Sequence, residues 1–265
     1  MRTYILLTLT LLAITSSAQD FRNLCRRGLE YIKDYNYQQA AECYKGALAQ
    51  SASEREKVYA LVNLAYSYQM MSELPNALDS YSKAIEISPT EMTLVQQRAN
   101  IYLQLDSTDL ALTDYDNILQ HEPSNTGALL CRAHIYANKG WFAQAWSDYA
   151  ELQKLLPENL SVQLGIAMLY QKEKRYNECL MMMNSLIEEY PKIAELYIAR
   201  SDVERERGEY ELAMMDIEKA IEIDPQNANN YILQAIIFEK MGKKTAARKS
   251  REKAATLGGK NFRMQ

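Results

Sequence analysis

Five prolines, Pro89, Pro123, Pro157, Pro191 and Pro225, recur at intervals of 34 residues. A fixed period of that length marks a chain built from stacked copies of one small supersecondary unit, each able to bury its apolar side only against a neighbour. With the proline counted as position 32, repeats begin at Val58, Met92, Thr126, Leu160, Ala194 and Ala228, and a further repeat without the proline begins at Phe21. Seven repeats thus fill residues 21 to about 260. No Ser/Gly-rich or Pro-rich run divides them, so residues 19–265 read as a single array.

Laying the repeats over one another exposes the packing. Position 8 is Gly28, Ala65, Ala99, Ala133, Ala167, Ser201 and Ala235, and position 20 is Ala40, Ala77, Ala111, Ala145, Cys179, Ala213 and Ala247. Both columns hold only small side chains. Position 24 is large in most repeats, with Tyr44, Tyr81, Tyr115 and Tyr149 in the first four. Apolar residues at 4, 7 or 8 and 11, then at 20, 24 and 27, follow the spacing of a helical face, so each repeat is two helices. Gly140, Gly208 and Gly242 at position 15 punctuate the first helix, where glycine adopts a left-handed cap at little cost. Antiparallel helices joined by so short a turn bring position 8 opposite position 20, and the tyrosines fill the wider gaps. The proline ends the second helix.

These residues resemble the tetratricopeptide repeat (TPR) family; the repeat from Val58 to Glu91 carries Leu61, Ala65, Tyr68, Ala77, Tyr81, Ala84 and Pro89 where the family has its defining positions. The resemblance implies an all-α solenoid, a right-handed superhelix of seven antiparallel helix pairs whose first helices line a concave groove. Departures are Glu204 at the aromatic position 11, three extra residues before Val58, and Arg251 at position 24 of the last repeat, where no following repeat would bury it.

Met1 to Ala18 is a separate object. Arg2 gives a positive start, Tyr4 to Ile14 an almost unbroken apolar run, and Ser16-Ser17-Ala18 the small-residue pattern of a cleaved export signal. Eleven helical residues span only about 16 Å of a ~30 Å hydrocarbon core, which disfavours a membrane anchor. The expectation is an exported chain beginning near Gln19, periplasmic in a diderm bacterium and otherwise secreted. Net charge is −4, and losing Arg2 makes it −5 (−4 − 1), which argues against nucleic acid as the partner. His121 and His134 are too few for a histidine-rich metal site, the four cysteines lack zinc spacing, and no cofactor is implied. No phosphate loop, nucleophile elbow or zincin motif appears, so no enzyme is indicated.

Arg98, Arg132 and Arg200 at position 7 accompany Asp114, Asp148 and Asp216 at position 23, which predicts recurring Arg–carboxylate bridges across the hairpins. Arg27 has Cys43 there instead, and Cys25 stands at the same height as Cys43, leaving a disulfide or two buried thiols open. Consecutive Met181, Met182 and Met183 point three ways around a helix and read as core and surface filling. Glu204 lies within reach of Arg200 and Arg207 for a local ion pair. The stretch from Lys243 to Arg263 carries eight Lys/Arg against Glu252 alone and reads as a solvated closing helix in preference to a membrane-surface contact.

Carried onto repeats two to four, the family's groove positions hold eighteen residues, among them Tyr59, Asn63, Tyr66, Gln69, Gln97, Asn100, Gln104, His134 and Asn138. None is charged at neutral pH, whereas the chain's 24% charged fraction would place about four there. Amides pair with the donors and acceptors of an extended backbone, and tyrosines add area. Family members that grip C-terminal carboxylates use Lys, Asn, Asn, Lys and Arg. Over repeats one to three only Asn63 matches, with Cys25, Leu29, Thr93 and Gln97 at the other places, so that ligand class is set aside. The leading expectation is a non-enzymatic scaffold that captures a protein or peptide in a neutral groove. The alternative is a structural factor that self-associates as a homo-oligomer or organises an envelope complex.

Overall fold

The computed structural model describes residues 2–258, with side chains from residue 18 onward. The side chains of the expected leader up to Ser17, and the last seven residues of the basic stretch and C-terminus, lie outside them. Fourteen helices follow among the described residues: α1 Arg2–Lys33, α2 Tyr37–Gln50, α3 Glu54–Met70, α4 Leu74–Ile87, α5 Met92–Gln104, α6 Thr108–His121, α7 Thr126–Asn138, α8 Phe142–Leu155, α9 Leu160–Lys172, α10 Tyr176–Glu189, α11 Ala194–Glu206, α12 Tyr210–Ile223, α13 Ala228–Lys240 and α14 Lys244–Gly258. Those residues contain no strand, and the fold is an all-α solenoid of helix pairs. The chain forms two compact units, Met1–Ile135 and Tyr136–Gln265. In the first, α1 through α6 pack each on the next, and in the second α8 through α14 do the same.

The turn inside every repeat has one geometry. Position 15 is left-handed in all seven, at Tyr35 (φ 58°), Ser72 (61°), Asp106 (56°), Gly140 (74°), Lys174 (61°), Gly208 (82°) and Gly242 (74°). The next amide reaches back five residues to the carbonyl of position 11, as in Asn36 to Tyr31 at 2.8 Å, Glu73 to Tyr68 at 2.9 Å and Lys243 to Phe238 at 2.8 Å. That is the Schellman closure of a helix C-terminus, and it reverses the chain within a few residues. At the far end of the repeat the residue before proline leaves the helical region, with ψ of 71° at Ser88 and 85° at Asp224.

Positions 8 and 20 are buried in every repeat. Ser201 Oγ donates to the Ala213 carbonyl at 2.9 Å, which fixes the two columns as facing partners. Large residues lock one repeat to the next. Tyr81 packs with Ala65, Ala77 and Ile101, Met183 with Ala167, Cys179 and Val203, and Ile217 with Ala213 and Ile237. In each case position 24 meets position 10 of the following repeat. Each such large residue contributes about 1.5–3 kcal/mol when fully buried.

The arginines at position 7 reach both ways. Arg98 grips Asp114 through Nε at 2.9 Å and Nη2 at 2.6 Å. Arg200 grips Asp216 at 2.8 and 2.6 Å, and its third nitrogen donates to Asn184 Oδ1 of the preceding repeat at 2.6 Å. Arg132 pairs with Asp116 of the preceding repeat at 2.6 Å. The clamps therefore join repeats as well as hairpins, a role the sequence did not suggest. Glu204 is buried, and burial holds its carboxyl above the usual range although Arg207 lies 3.2 Å away. Met183 is fully buried while Met181 is 73% exposed, as the helical spacing requires. In α14, Arg251 makes a two-pronged pair with Glu239 and Arg248 pairs with Glu252 at 3.5 Å, so part of the basic face is engaged locally.

The first repeat departs from the others at Gly28. The Tyr44 ring sits so close that a Cβ on residue 28 would lie 2.7 Å from Tyr44 Cζ. Gly28→Ala, which restores the alanine of most other repeats, is therefore expected to destabilise by about 1–3 kcal/mol through overpacking. Chemical denaturation reads this, and an unchanged midpoint would contradict the packing described.

Candidate functional site

In the N-terminal unit, α1, α3 and α5 share a face that carries two adjoining cavities, and Leu29 belongs to both. The larger, about 550 Å³, is lined by Leu29 and Ile32 of α1, Val62, Asn63 and Tyr66 of α3, and Thr93, Leu94 and Gln97 of α5, with Tyr81 behind. None of these is charged. The smaller, about 430 Å³, has Phe21, Cys25, Leu29 and Tyr59 as its apolar part and Arg22, Arg26, Arg55 and Glu56 around it. The helical period explains the assembly: positions 2, 5 or 6, and 9 of each first helix project to one side because three or four residues complete a turn.

Four of the expected site residues are thus brought together. Asn63, Tyr66 and Gln97 line the larger cavity and Tyr59 the smaller. Tyr59 is 41% and Tyr66 38% exposed, large apolar area left open to a ligand. Tyr66 meets Tyr37 edge-on with ring centroids 6.3 Å apart, and Tyr37 meets Tyr35 at 6.5 Å, so an aromatic series leads from the first turn onto the face. Asn63 Nδ2 donates to the Tyr59 carbonyl at 2.8 Å, which orients its amide and leaves the side-chain oxygen turned away from that bond.

The other expected residues stand apart from these cavities. Asn100 is committed to its own repeat: its Oδ1 accepts from the Tyr115 hydroxyl at 3.2 Å and from Gln96 Nε2 at 3.2 Å. Gln69 is half-buried and Gln104 and His134 are exposed, none lining either cavity. Asn138 is exposed and belongs to the C-terminal unit. Leu29, Ile32, Tyr35, Tyr37 and the three arginines were missed. The signal was legible, because Arg22, Arg26, Leu29 and Ile32 occupy positions 2, 6, 9 and 12 of the first repeat, to which the groove positions had not been applied.

The one thiol on this face is not activated. Cys25 is buried, and desolvation, followed by the Glu56 and Cys43 charges, pushes its thiol up to about 11. All four cysteines are free thiols in this structure, Cys131 being the only one not buried. Among the described residues no group of three or more His, Cys, Asp or Glu could hold a metal, and no helix is long and apolar enough to cross a membrane.

Three models of the tetratricopeptide repeat family match residues 25–91, 161–192 and 194–227. The chain belongs to that family. A solved tetratricopeptide repeat protein from Parabacteroides merdae superimposes with a TM-score of 0.84 at 27% identity, over 92% of this chain and 95% of its own. Yeast Tom70 superimposes at 0.68 with 17% identity over 84% of this chain and 48% of its own. A thermophilic TPR protein from Thermus thermophilus does so at 0.56 with 15% identity over 69% and 98%, and these two likenesses speak to fold alone. No curated protein matches the sequence. Proteins of this family commonly act as protein-interaction scaffolds and are typically non-enzymatic.

The thiol chemistry is open to measurement. Because the thiolate is the reactive form, Cys25 in the native chain is expected to resist iodoacetamide at pH 8, to label as pH approaches 11, and to label at pH 8 once the chain is denatured. Mass spectrometry of the Cys25 peptide reads the extent, and rapid native labelling at pH 8 would contradict the burial described.

Proposed function

We propose that this chain is a non-enzymatic scaffold that captures a polypeptide segment on the face shared by α1, α3 and α5. The observation that carries the reading is the charge-free cavity of about 550 Å³ with a half-exposed tyrosine and two amides at its wall. Apolar and aromatic area desolvates readily, and amides satisfy the donors and acceptors of a bound backbone. Affinity would come from a few aromatic anchors.

Tyr35 adds independent support. It is 80% exposed and holds a left-handed backbone that costs an L-residue roughly 1–2 kcal/mol. Among the seven repeats it is the one large aromatic at this position, where the others have Ser72, Asp106, Gly140, Lys174, Gly208 and Gly242. Its ring meets Tyr37, which meets Tyr66, so it extends the aromatic series that reaches the cavity.

Export completes the reading: Met1 to Ala18 would direct the chain out of the cytoplasm, leaving a mature terminus near Gln19. N-terminal sequencing of the natural protein checks this, and an intact Met1 would overturn it.

For the groove, Tyr59→Ala with Tyr66→Ala is expected to reduce capture of partner polypeptides from an extract of the native compartment by tenfold or more, as loss of aromatic hot spots does. The circular dichroism melt should stay within a few degrees of wild type, since both rings are partly exposed. Undiminished capture by the double variant would remove this site. Tyr35→Gly should weaken capture while raising the melting temperature, a pairing that a purely structural tyrosine would not give.

A further inference from the structure

The two cavities differ in charge. Around the smaller one stand Arg22, Arg26 and Arg55 against the single carboxylate of Glu56, whereas no charged residue lines the larger. Glu56 is already occupied, because its Oε2 accepts the Ala52 and Ser53 amides at 2.7 and 3.3 Å in the capping box that starts α3. Arg22 and Arg55 have no ion-pair partner among the described residues. Arg26 donates to Glu30 at 2.9 Å, but both side chains are more than half exposed, and such pairs hold their partners weakly. Three arginines therefore line an apolar floor of Phe21, Cys25 and Leu29 with Tyr59 as its wall, their aliphatic stems forming the cavity surface while their charged ends lie toward solvent. They stand on a chain whose net charge is −4.

We propose that the groove is polar in direction. Its α1 end takes the part of a polypeptide where an acidic residue flanks a large apolar one, and the rest of the segment runs onto the neutral cavity. The apolar side chain seats on Phe21, Cys25 and Leu29 against Tyr59. The neighbouring side-chain carboxylate meets Arg22 and Arg55, whose planar forks match it in two-pronged fashion. This inference rests on the groove reading above and adds charge selectivity and direction to it.

The test is selection of a random peptide display library on the full chain, in parallel with Arg22→Gln/Arg55→Gln and with Tyr66→Ala. Both arginines are exposed, so the charge variant should fold as wild type does, and circular dichroism verifies this. Wild type is expected to enrich sequences with Asp or Glu within two or three residues of Phe, Leu, Met or Trp. A synthetic peptide of the winning sequence should bind up to about fivefold more weakly for each arginine removed. Its affinity should fall further when salt is raised, and a Lys-for-Glu version should not bind. Enrichment without acidic bias, yet lost in Tyr66→Ala, overturns the charge inference and leaves the groove reading standing. No enrichment over bare resin overturns both. Displacement of wild-type tyrosine fluorescence by laurate with no peptide enriched assigns the apolar floor to a fatty acid and overturns the inference.

Discussion

The left-handed residue at position 15 and the amide-to-carbonyl bond that closes over it, from position 16 back to position 11, hold everything else in place. They reverse the chain so tightly that the two small columns, positions 8 and 20, have to meet, and only small residues let the helix axes come together there. Once they meet, position 24 projects from the hairpin toward the next repeat and finds position 10. Tyr81 on Ile101 and Ile217 on Ile237 are two instances of one contact. The Arg200 clamp on Asp216 and Asn184 then fixes the spacing already set by packing. Glycine adopts this conformation freely at Gly140, Gly208 and Gly242, and the small-to-small contact that the turn permits offsets its cost at Tyr35, Ser72 and Lys174, roughly 1–2 kcal/mol each.

The same frame decides which side chains are free to act. Positions 8 and 11 of a first helix are committed to the hairpin and position 10 to the preceding repeat, so positions 2, 5, 6 and 9 remain. In the first two repeats these are Arg22, Cys25, Arg26, Leu29, Tyr59, Val62, Asn63 and Tyr66, and every one lines a cavity. The positions left free thus assemble an apolar floor, amides, tyrosines and cations on one face, with its one thiol held protonated by burial.

The helix pairs and the buried small columns were legible because seven copies of one pattern sit in a single sequence. Two regularities were only partly legible or escaped it for physical reasons. The left-handed position 15 was read at Gly140, Gly208 and Gly242, but not in the other four repeats, where Tyr, Ser, Asp and Lys share no side-chain signal for a backbone property. The position 10 column pairs with a neighbouring repeat, so it falls outside the helical face that one repeat's pattern defines. Glu204 was visible as an exception, but its burial depends on the shell around it. For the site, Asn63, Tyr66, Gln97 and Tyr59 could be placed by register alone. Asn100 could not be excluded that way, because its loss to Tyr115 and Gln96 is a hydrogen-bond network that no spacing predicts. Arg22 and Arg26 of the cationic end stood at groove positions of the first repeat, whereas Arg55 falls in the three extra residues before Val58, outside the repeat register.

That network also bounds what the groove can hold. Position 9 runs from Leu29 through Tyr66 to Asn100, apolar, then aromatic, then a polar group whose oxygen already accepts two hydrogen bonds. Adhesive surface is therefore concentrated across α1, α3 and α5, with its far limit near the Gln96–Asn100–Tyr115 cluster. The two ends of that face differ in kind: one carries three arginines around an apolar floor, and the other is an amide cluster whose hydrogen bonds are already closed on themselves.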